Sequence, residues 1–505
     1  MKRYRLFAVA SALLLLCSLT GCSFSGADAD SAELSSYNEP NLPRCDIEAY
    51  KAKIEDLRQN WLKSNQEEAI GQTVQELLDA VDEAYALYAH AEIDYYSDWT
   101  KDALSDYRSR TYEDMCVVSD MTGWAIVNGE RKSAYPALFA PYLPDGNLDY
   151  YRLHNLQRIM SYSRQSAADS ALLLDDYYDV AYDDSVDPDE TDLACAGLYL
   201  DILKETSPSD YDYEAFERDY TPEDVSALYS ELLETVYPLF VRLAAYFAET
   251  DPALPEQTDA LQFLREHAEK LSPEIGESAD KLFSEHLYTA AKGEDCYDGS
   301  FTISLGKEQS ALMYLYLDGS FTDVSSVTHE FGHFHSDWRD ETPVFLQKNC
   351  IDIAEAQSQS MEMLFTHFYG DLMDAETAKR AELWAVFNLL DAVISGFAIG
   401  MFEAKIMEDP EQYEAKDVVQ CYADTCTAVG VSPALYQVTH LYEQPGYYVS
   451  YGVSALPALQ IYTMMQDDFD AAVAQYGKIS EISSVSGEYR FQSAMQACGM
   501  QNYFD

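Results

Sequence analysis

The feature that most constrains this 505-residue chain is the hexapeptide THEFGH at residues 328–333, which contains the pattern H-E-x-x-H. On an α-helix, positions i and i+4 lie one turn apart on the same face, so His329 and His333 can present their imidazole nitrogens to one metal ion. Glu330 lies beside them and is placed to take a proton from a water on that metal. The pattern therefore predicts a helix that carries a catalytic metal site. The alternative is a polar helix in which these residues occur together by chance.

The residues on either side of the motif support the metal site. Residues 318–323 predict a turn followed by good N-cap residues, which would start the helix. Residues 350–368 predict a second helix, with Gly370 as a candidate C-cap. On that helix, Glu355 stands in a weakly charged run and is the candidate third ligand. Two neutral imidazoles and one carboxylate leave one zinc coordination position open for water, as a catalytic site requires.

Two β-prone runs lie just before the motif, at residues 300–305 and 311–317. A turn-like segment separates them, so they predict a β-hairpin ahead of the metal-binding helix. An edge strand at this place could bind an extended peptide through main-chain hydrogen bonds. The alternative is a hairpin with a purely structural role.

Three blocks of the sequence together resemble a known family. They are residues 319–324 running into the motif, the run EAQSQSME at 355–362 and the run HLYEQPGYYVSY at 440–451. Their order and spacing are similar to those of the thimet oligopeptidase and oligoendopeptidase F family of zinc metallopeptidases, nearest to its Pz-peptidase-like branch. The resemblance covers roughly residue 220 to the C-terminus. It implies a mainly α fold, a two-lobed helical shell around a deep channel, with the small β-hairpin or sheet before the H-E-x-x-H helix.

The run at 440–451 supplies candidate catalytic residues by that resemblance. His440 and Tyr451 are the stronger candidates, and Tyr448 the next, for stabilising the negative charge that builds on a peptide carbonyl oxygen during hydrolysis. Gly446 stands where the family commonly has an aromatic residue, which is expected to widen or loosen the loop. Without the upstream motif, this run would be predicted to pack on the core as an aromatic loop.

Two acidic residues on the predicted third-ligand helix are candidates for orienting a metal-binding imidazole through a hydrogen bond. Glu362 matches the family pattern. Asp352 is a candidate only because of its position on the same helix.

The first 22 residues predict an export signal rather than part of the fold. A basic start is followed by an apolar run and by LTGC at 19–22, which is similar to a bacterial lipobox with Cys22 as the lipidated residue. A single membrane anchor is the alternative, although the apolar run is short for a membrane span. We expect no later stretch to be long and apolar enough to cross a bilayer. The predicted location is therefore outside the cytoplasm, anchored by lipid to a bacterial membrane.

The rest of the chain divides into three predicted parts. Residues 23–44 predict a flexible tether, residues 45–219 an N-terminal helical region and residues 220–505 the zinc metallopeptidase catalytic region. The boundary at 220 coincides with a predicted helix start, in which Thr221 is the N-cap and a proline occupies the first helical position.

The chain carries 88 acidic and 32 basic residues, a formal net charge of −56. This balance excludes a nucleic-acid partner, because phosphate binding needs a basic surface. It also predicts membrane contact through the N-terminal lipid only, since anionic headgroups would repel the folded body. The acidity serves either solubility or attraction for cationic peptides, and the sequence does not separate the two.

Together these features predict a lipid-anchored zinc metalloendopeptidase of short oligopeptides, a monomer with one Zn²⁺ per chain, in which Glu330 is the general base. One alternative is a dipeptidase similar to angiotensin-converting enzyme. Another is a peptide-binding lipoprotein in which the zinc has only a structural role, although such a site would not need Glu330.

Overall fold

The computed structural model describes residues 44–505 except 64, 144–172, 175, 182, 184, 206–215, 217, 251–253, 256, 307–309, 349, 432 and 505. The predicted signal segment, its lipidation residue Cys22 and residues 23–43 of the predicted tether lie outside the described residues.

Helices make up most of the described chain, as the sequence predicts. Those that precede the sheet are α1 Ile47–Asn60, α2 Glu67–Ser97, α3 Asp102–Lys132, α4 Pro136–Phe139, α5 Pro188–Glu205, α6 Pro222–Thr235, α7 Tyr237–Glu249, α8 Ala260–Leu271 and α9 Pro273–Ser284. Thr221 forms a capping box with Asp224 at the start of α6, which confirms that predicted helix start.

Three short strands follow, β1 Tyr288–Ala291, β2 Phe301–Ser304 and β3 Ala311–Tyr316. The helices after them are α10 Thr322–Asp337, α11 Ile351–Phe365, α12 Ala375–Met407, α13 Ala415–Thr425, α14 His440–Glu443, α15 Val449–Asp467, α16 Phe469–Ser480 and α17 Phe491–Cys498. The predicted third-ligand helix is shorter than expected, because after Phe365 the chain tightens into a 3₁₀ turn.

The sheet confirms the predicted hairpin and adds one strand to it. The strand order is β1-β3-β2, with β2 antiparallel to β3 and β1 parallel to β3. The pairing of β1 with β3 passes over β2, which lies between them in the sequence, and the local sequence pattern did not predict it. β2 is an edge strand of the three.

The middle strand, β3, lies between two hydrophobic cores. Successive side chains of a strand point to opposite faces. Accordingly, Met313 and Leu315 belong to the larger core, whereas Leu312 and Tyr314 belong to the smaller one. The smaller core is formed mainly by α1 to α4, and the larger core by α5 to α17. The described chain is thus a mainly helical shell built around two cores.

Helix α12 requires a correction to the membrane expectation. Its 33 residues are long and apolar enough to cross a bilayer by length and composition alone, contrary to the expectation that no such stretch follows the signal segment. Within the fold, 67% of its most apolar window is buried. Its apolar side chains, such as Phe397, Ile399 and Phe402, contribute to the larger core. This burial is that of a core helix.

Glycines allow the helices around the motif to approach closely. A Cβ added at Gly332 of α10 would lie 2.6 Å from Ser358 Cα of α11. Similarly, a Cβ at Gly396 of α12 would lie 2.4 Å from the backbone nitrogen of Gly452 on α15. Glycine at position 332 therefore allows α10 and α11 to pack closely, and glycine at position 396 does the same for α12 and α15.

Replacement of Gly332 by alanine should push α10 and α11 apart. We expect Gly332→Ala to lower the free energy of unfolding by about 1–3 kcal/mol, the usual cost of overpacking, and to weaken metal binding because the two helices carry different candidate ligands. Chemical denaturation and metal titration measure the two effects. Gly197→Ala on α5 is the matched control, since nothing lies within 4 Å of its added Cβ. Equal stability and metal affinity in the two variants would contradict this account.

Candidate active site

The predicted metal ligands converge from two helices. His329 and His333 extend from one face of α10, and Glu355 extends from α11 to meet them. One ligand atom from each of the three residues lies within 4.8 Å of the others. His329 Nε2 is 3.4 Å from Glu355 Oε2, and His333 Nε2 is 4.0 Å from Glu355 Oε1. Tetrahedral zinc with bonds of about 2.0–2.1 Å separates its ligand atoms by roughly 3.3 Å, so two imidazoles and a carboxylate at these distances fit a zinc ion.

A turn fixed by Asp323 starts helix α10. The sequence predicted a side-chain N-cap, but the N-cap residue is Phe321, which makes no side-chain capping bond. Instead, the Asp323 carboxylate accepts the backbone N–H groups of Asp318, at 3.3 Å, and Gly319, at 2.7 Å. Gly319 has a φ of 93°, a conformation that favours glycine. The turn thereby fixes where α10 begins, about two helical turns before His329.

Polar side chains on the side away from the metal site contact two of the candidate ligands. Glu362 Oε2 lies 3.6 Å from His329 Nδ1, and Ser325 Oγ donates to the other Glu362 oxygen at 2.5 Å. Tyr447 Oη donates to Glu355 Oε1 at 2.9 Å. Such partners fix the orientation of metal ligands and raise their affinity. Asp352 does not take part, because its carboxylate accepts from Tyr220 Oη at 2.7 Å, away from the imidazoles.

The charge states of two ligands, Glu355 and His333, suit a cation. Burial would lower the pKa of His329, but its interactions with Glu355 and Glu362 raise it well above the usual value, so a metal ion would displace a proton from this third ligand. Burial alone would raise the pKa of Glu355, but the hydrogen bond to His329 and the charge of His333 lower it to about 2. Burial lowers the pKa of His333 to about 4, despite the nearby Glu355 carboxylate. Glu355 is therefore ionised and His333 neutral near pH 7, as metal coordination requires.

Glu330 faces strand β2. Its side chain is buried, and Thr302 Oγ1 donates both to Glu330 Oε2, at 2.8 Å, and to the Glu330 carbonyl oxygen, at 3.0 Å. Burial raises the pKa of Glu330 to about 7, although the charge of His329 and the Thr302 hydrogen bond lower it in part. A carboxyl group that titrates near neutrality can both accept and return a proton during a reaction.

The predicted catalytic run begins in a helical turn and ends in a long helix. His440 lies on α14, and Tyr451 lies on α15 rather than in the loop where the sequence placed it. Tyr451 Oη is 3.4 Å from His440 Nε2, and the Tyr448 and Tyr451 ring centroids are 5.6 Å apart. Burial raises the pKa of Tyr451 well above its usual value, so this hydroxyl keeps its proton and can donate it.

A second network supports His440. The Glu443 carboxylate lies 3.1 Å from His440 Nδ1, and Tyr178 Oη donates to Glu443. Burial would raise the pKa of Glu443, but its bond to His440 holds it below the usual value, so the carboxylate is charged. The contact with Glu443 fixes the orientation of the His440 ring, whose Nε2 then faces Tyr451.

Three supporting residues were missed in the sequence. Tyr447, which contacts the Glu355 ligand, is one of three tyrosines within five positions. The sequence does not show which of the three makes that contact, because the contact depends on the geometry of the loop. Glu443 could have been found, because it follows His440 by three residues and such pairs meet on a helical turn. Thr302 had no local signal, since its contact depends on how β2 lies against α10.

The sequence matches no known family model and no curated protein. The fold, in contrast, matches solved structures along most of its length. A structure described as an oligoendopeptidase F from Bacillus anthracis str. Ames has a TM-score of 0.70 at 15% identity, covering 92% of this chain and 94% of that one. PZ peptidase A with an inhibitor has a TM-score of 0.69 at 15% identity, covering 93% and 96%.

The chain has the fold of these peptidases. The expected mainly helical fold and the family resemblance are thus supported from structure. An M32 carboxypeptidase from Deinococcus radiodurans R1 is more distant, with a TM-score of 0.57 at 15% identity, covering 86% of this chain and 97% of that one. All three structures are described as peptidases.

Removal of the Tyr447 hydroxyl should weaken zinc binding. Tyr447→Phe keeps the ring but loses the hydrogen bond to Glu355, and loss of such a partner typically costs about 10- to 100-fold in metal affinity. Competition with a chromogenic chelator measures this affinity. The control is Tyr448→Phe, whose ring lies 5.9 Å from that of His440 and for which no bond to Glu355 is seen among the described contacts. Equal zinc affinity in Tyr447→Phe and the parent would remove Tyr447 from this role.

Proposed function

We propose that the chain is a zinc metalloendopeptidase that hydrolyses short oligopeptides. The observation that carries the proposal is the convergence of His329, His333 and Glu355 at zinc-ligand distances, with the buried carboxyl group of Glu330 next to two of them on α10. A site that only binds zinc for structure has no need of a carboxyl group tuned near neutrality. The peptidase descriptions of the similar structures agree with this function.

Zinc bound to these ligands would supply a Lewis acid that polarises a peptide carbonyl and lowers the pKa of water. Glu330 takes a proton from the attacking water and later returns it to the leaving amine. Thr302 holds the Glu330 carboxylate on the side of β2. Tyr451 and His440 donate hydrogen bonds to the carbonyl oxygen as its negative charge develops.

Strand β2 offers a place for the substrate backbone. It is an edge strand of the three-stranded sheet, and Thr302 connects it directly to Glu330. An extended peptide that pairs with this edge would bring its backbone past the general base. This arrangement favours a substrate-binding role for the hairpin over a purely structural one. It also favours cleavage inside the peptide.

A carboxypeptidase is the second candidate function, because one of the similar structures is an M32 carboxypeptidase. A dipeptidase similar to angiotensin-converting enzyme belongs to the same alternative. Both release residues from a chain end, whereas an edge strand that binds extended backbone fits internal cleavage.

We also propose that the enzyme acts outside the cytoplasm, as a monomer held to the membrane by a lipid on Cys22. The support is the lipobox-like LTGC at residues 19–22 after an apolar run. The expected result is that Cys22→Ala abolishes labelling by a fatty-acid analogue and releases the protein from the membrane fraction. Sedimentation of that variant with membranes at the parental level would contradict the lipid anchor.

Glu330→Gln tests the catalytic role. Glutamine keeps the size and can still accept the Thr302 hydrogen bond, but it cannot accept a proton. We expect kcat to fall about 100- to 10,000-fold, with zinc content and KM retained. In the parent, activity should fall as pH falls and Glu330 becomes protonated, and this limb should be lost from the residual activity of the variant. Steady-state kinetics on an internally quenched peptide across pH measures both effects, and parental turnover in Glu330→Gln would refute the mechanism.

A further inference from the structure

A short loop behind the metal site carries two of the tyrosines. We call residues 444–448, which connect α14 to α15, the tyrosine loop. Tyr447 in this loop donates to the Glu355 ligand, and its ring lies 5.1 Å from that of Tyr451, which lies in the first turn of α15. The position of the loop therefore affects both the candidate metal ligand and the candidate oxyanion donors.

Gly446 at the centre of the loop adopts a left-handed backbone conformation with a φ of 87°. Glycine adopts such a conformation without strain, whereas other residues do so at a cost. The sequence predicted that glycine here would loosen the loop. In the structure, a hydrogen bond instead holds the loop in place at this residue, since the Gly446 N–H donates to Glu403 Oε1 at 2.6 Å.

Glu403 reaches the loop from helix α12, 43 residues away in the sequence. Its side chain is almost completely buried, at 1% exposure, and no hydrogen-bond partner is seen for its second oxygen, Oε2. Burying a carboxyl group in this way is unfavourable unless its interactions compensate. Three described interactions compensate the burial of Glu403: the backbone N–H groups of Gly446 and Tyr448 and the charge of Arg218. Both hydrogen bonds reach the tyrosine loop, so Glu403 binds the backbone of that loop.

The helix that carries Glu403 is itself fixed against the far end of the loop. A Cβ added at Gly400, one turn earlier on α12, would lie 2.7 Å from Val449 Cβ, the first residue of α15. Helix α12 thus contacts this segment at two places. Glu403 binds the loop at Gly446, and Gly400 packs against Val449, where α15 begins. The position of helix α12 therefore determines the position of the tyrosine loop, and Glu403 makes the connecting hydrogen bond.

On the basis of the peptidase function proposed above, we infer that Glu403 is a positioning residue. It holds Gly446 so that Tyr447 reaches Glu355 and Tyr451 reaches His440. Glu403 touches neither the metal ligands nor His440 in the described contacts, and it acts through the backbone of the tyrosine loop. Loss of its bond should displace the tyrosines by a fraction of an ångström to an ångström, a misplacement that can cost about 100-fold in rate.

Two substitutions separate the hydrogen bond from the bulk of the side chain. Glu403→Gln keeps an oxygen that accepts from Gly446, and it should retain kcat within a few-fold. Glu403→Leu keeps most of the volume but removes the acceptor, and it should lower kcat about 10- to 100-fold with KM changed little. Gly446→Ala strains the same loop from the other side of the bond, and it provides a second variant should Glu403→Leu not fold.

Asp82 in the smaller core offers a matched control. It is also a buried carboxylate, and its Oδ1 accepts a backbone N–H from a distant segment, that of Val344, at 3.0 Å. Asp82→Leu should therefore lower the melting temperature as Glu403→Leu does. It should leave kcat unchanged, because Val344 lies outside the tyrosine loop. An equal fall of kcat in both variants would show that Glu403 has only a general structural role and would overturn the inference.

A zinc-affinity cycle tests the same inference without any turnover. If Glu403 acts through Tyr447, then Glu403→Leu should weaken zinc binding about as much as Tyr447→Phe, and the double variant should be no weaker than either single one. Additive losses, or parental zinc affinity in Glu403→Leu, would overturn the positioning role. Absence of peptide hydrolysis by the parent would contradict the proposed function instead. The zinc-affinity cycle would still test the role of Glu403, because it needs no turnover.

Discussion

The site depends on the close approach of helices α10 and α11. Two candidate ligands lie on the first helix and the third on the second, so a metal ion can be held only if these helices nearly touch. Gly332 permits that contact, since any side chain there would meet the backbone of Ser358. Its position between Phe331 and His333 means that the same turn supplies both a ligand and the space for the neighbouring helix. The hexapeptide therefore specifies packing as well as chemistry.

Burial gives the site its electrostatic properties. Water is largely excluded around Glu330 and Glu355, so the two carboxyl groups respond strongly to their immediate partners. Glu355 lies among imidazoles and a tyrosine hydroxyl and stays ionised, whereas Glu330 has a threonine hydroxyl and titrates near neutrality. Two carboxyl groups of the same chemistry thus acquire different roles, one as a ligand and one as a base. The rest of the fold keeps these partners in place.

Local patterns in the sequence predicted the parts of the site that a single element determines. His329, Glu330 and His333 share one helical turn, and the β2–β3 hairpin is marked by two adjacent β-prone runs. Parts that depend on how distant elements meet were not predictable. Thr302 reaches Glu330 across 28 residues, and Glu403 reaches Gly446 across 43. Asp352 was one candidate for orienting an imidazole, but it accepts a hydrogen bond from Tyr220, 132 residues away, instead. The division of the chain at residue 220 stays a prediction.

Mass spectrometry of a defined peptide library, incubated with the purified protein with and without a zinc chelator, tests the central claim most directly. The account predicts fragments cut at internal bonds of peptides blocked at both ends, formed by the zinc-loaded protein, lost with chelator and restored by added zinc. Equal cleavage in the presence of the chelator, or no cleavage of any peptide by the zinc-loaded protein, would contradict it.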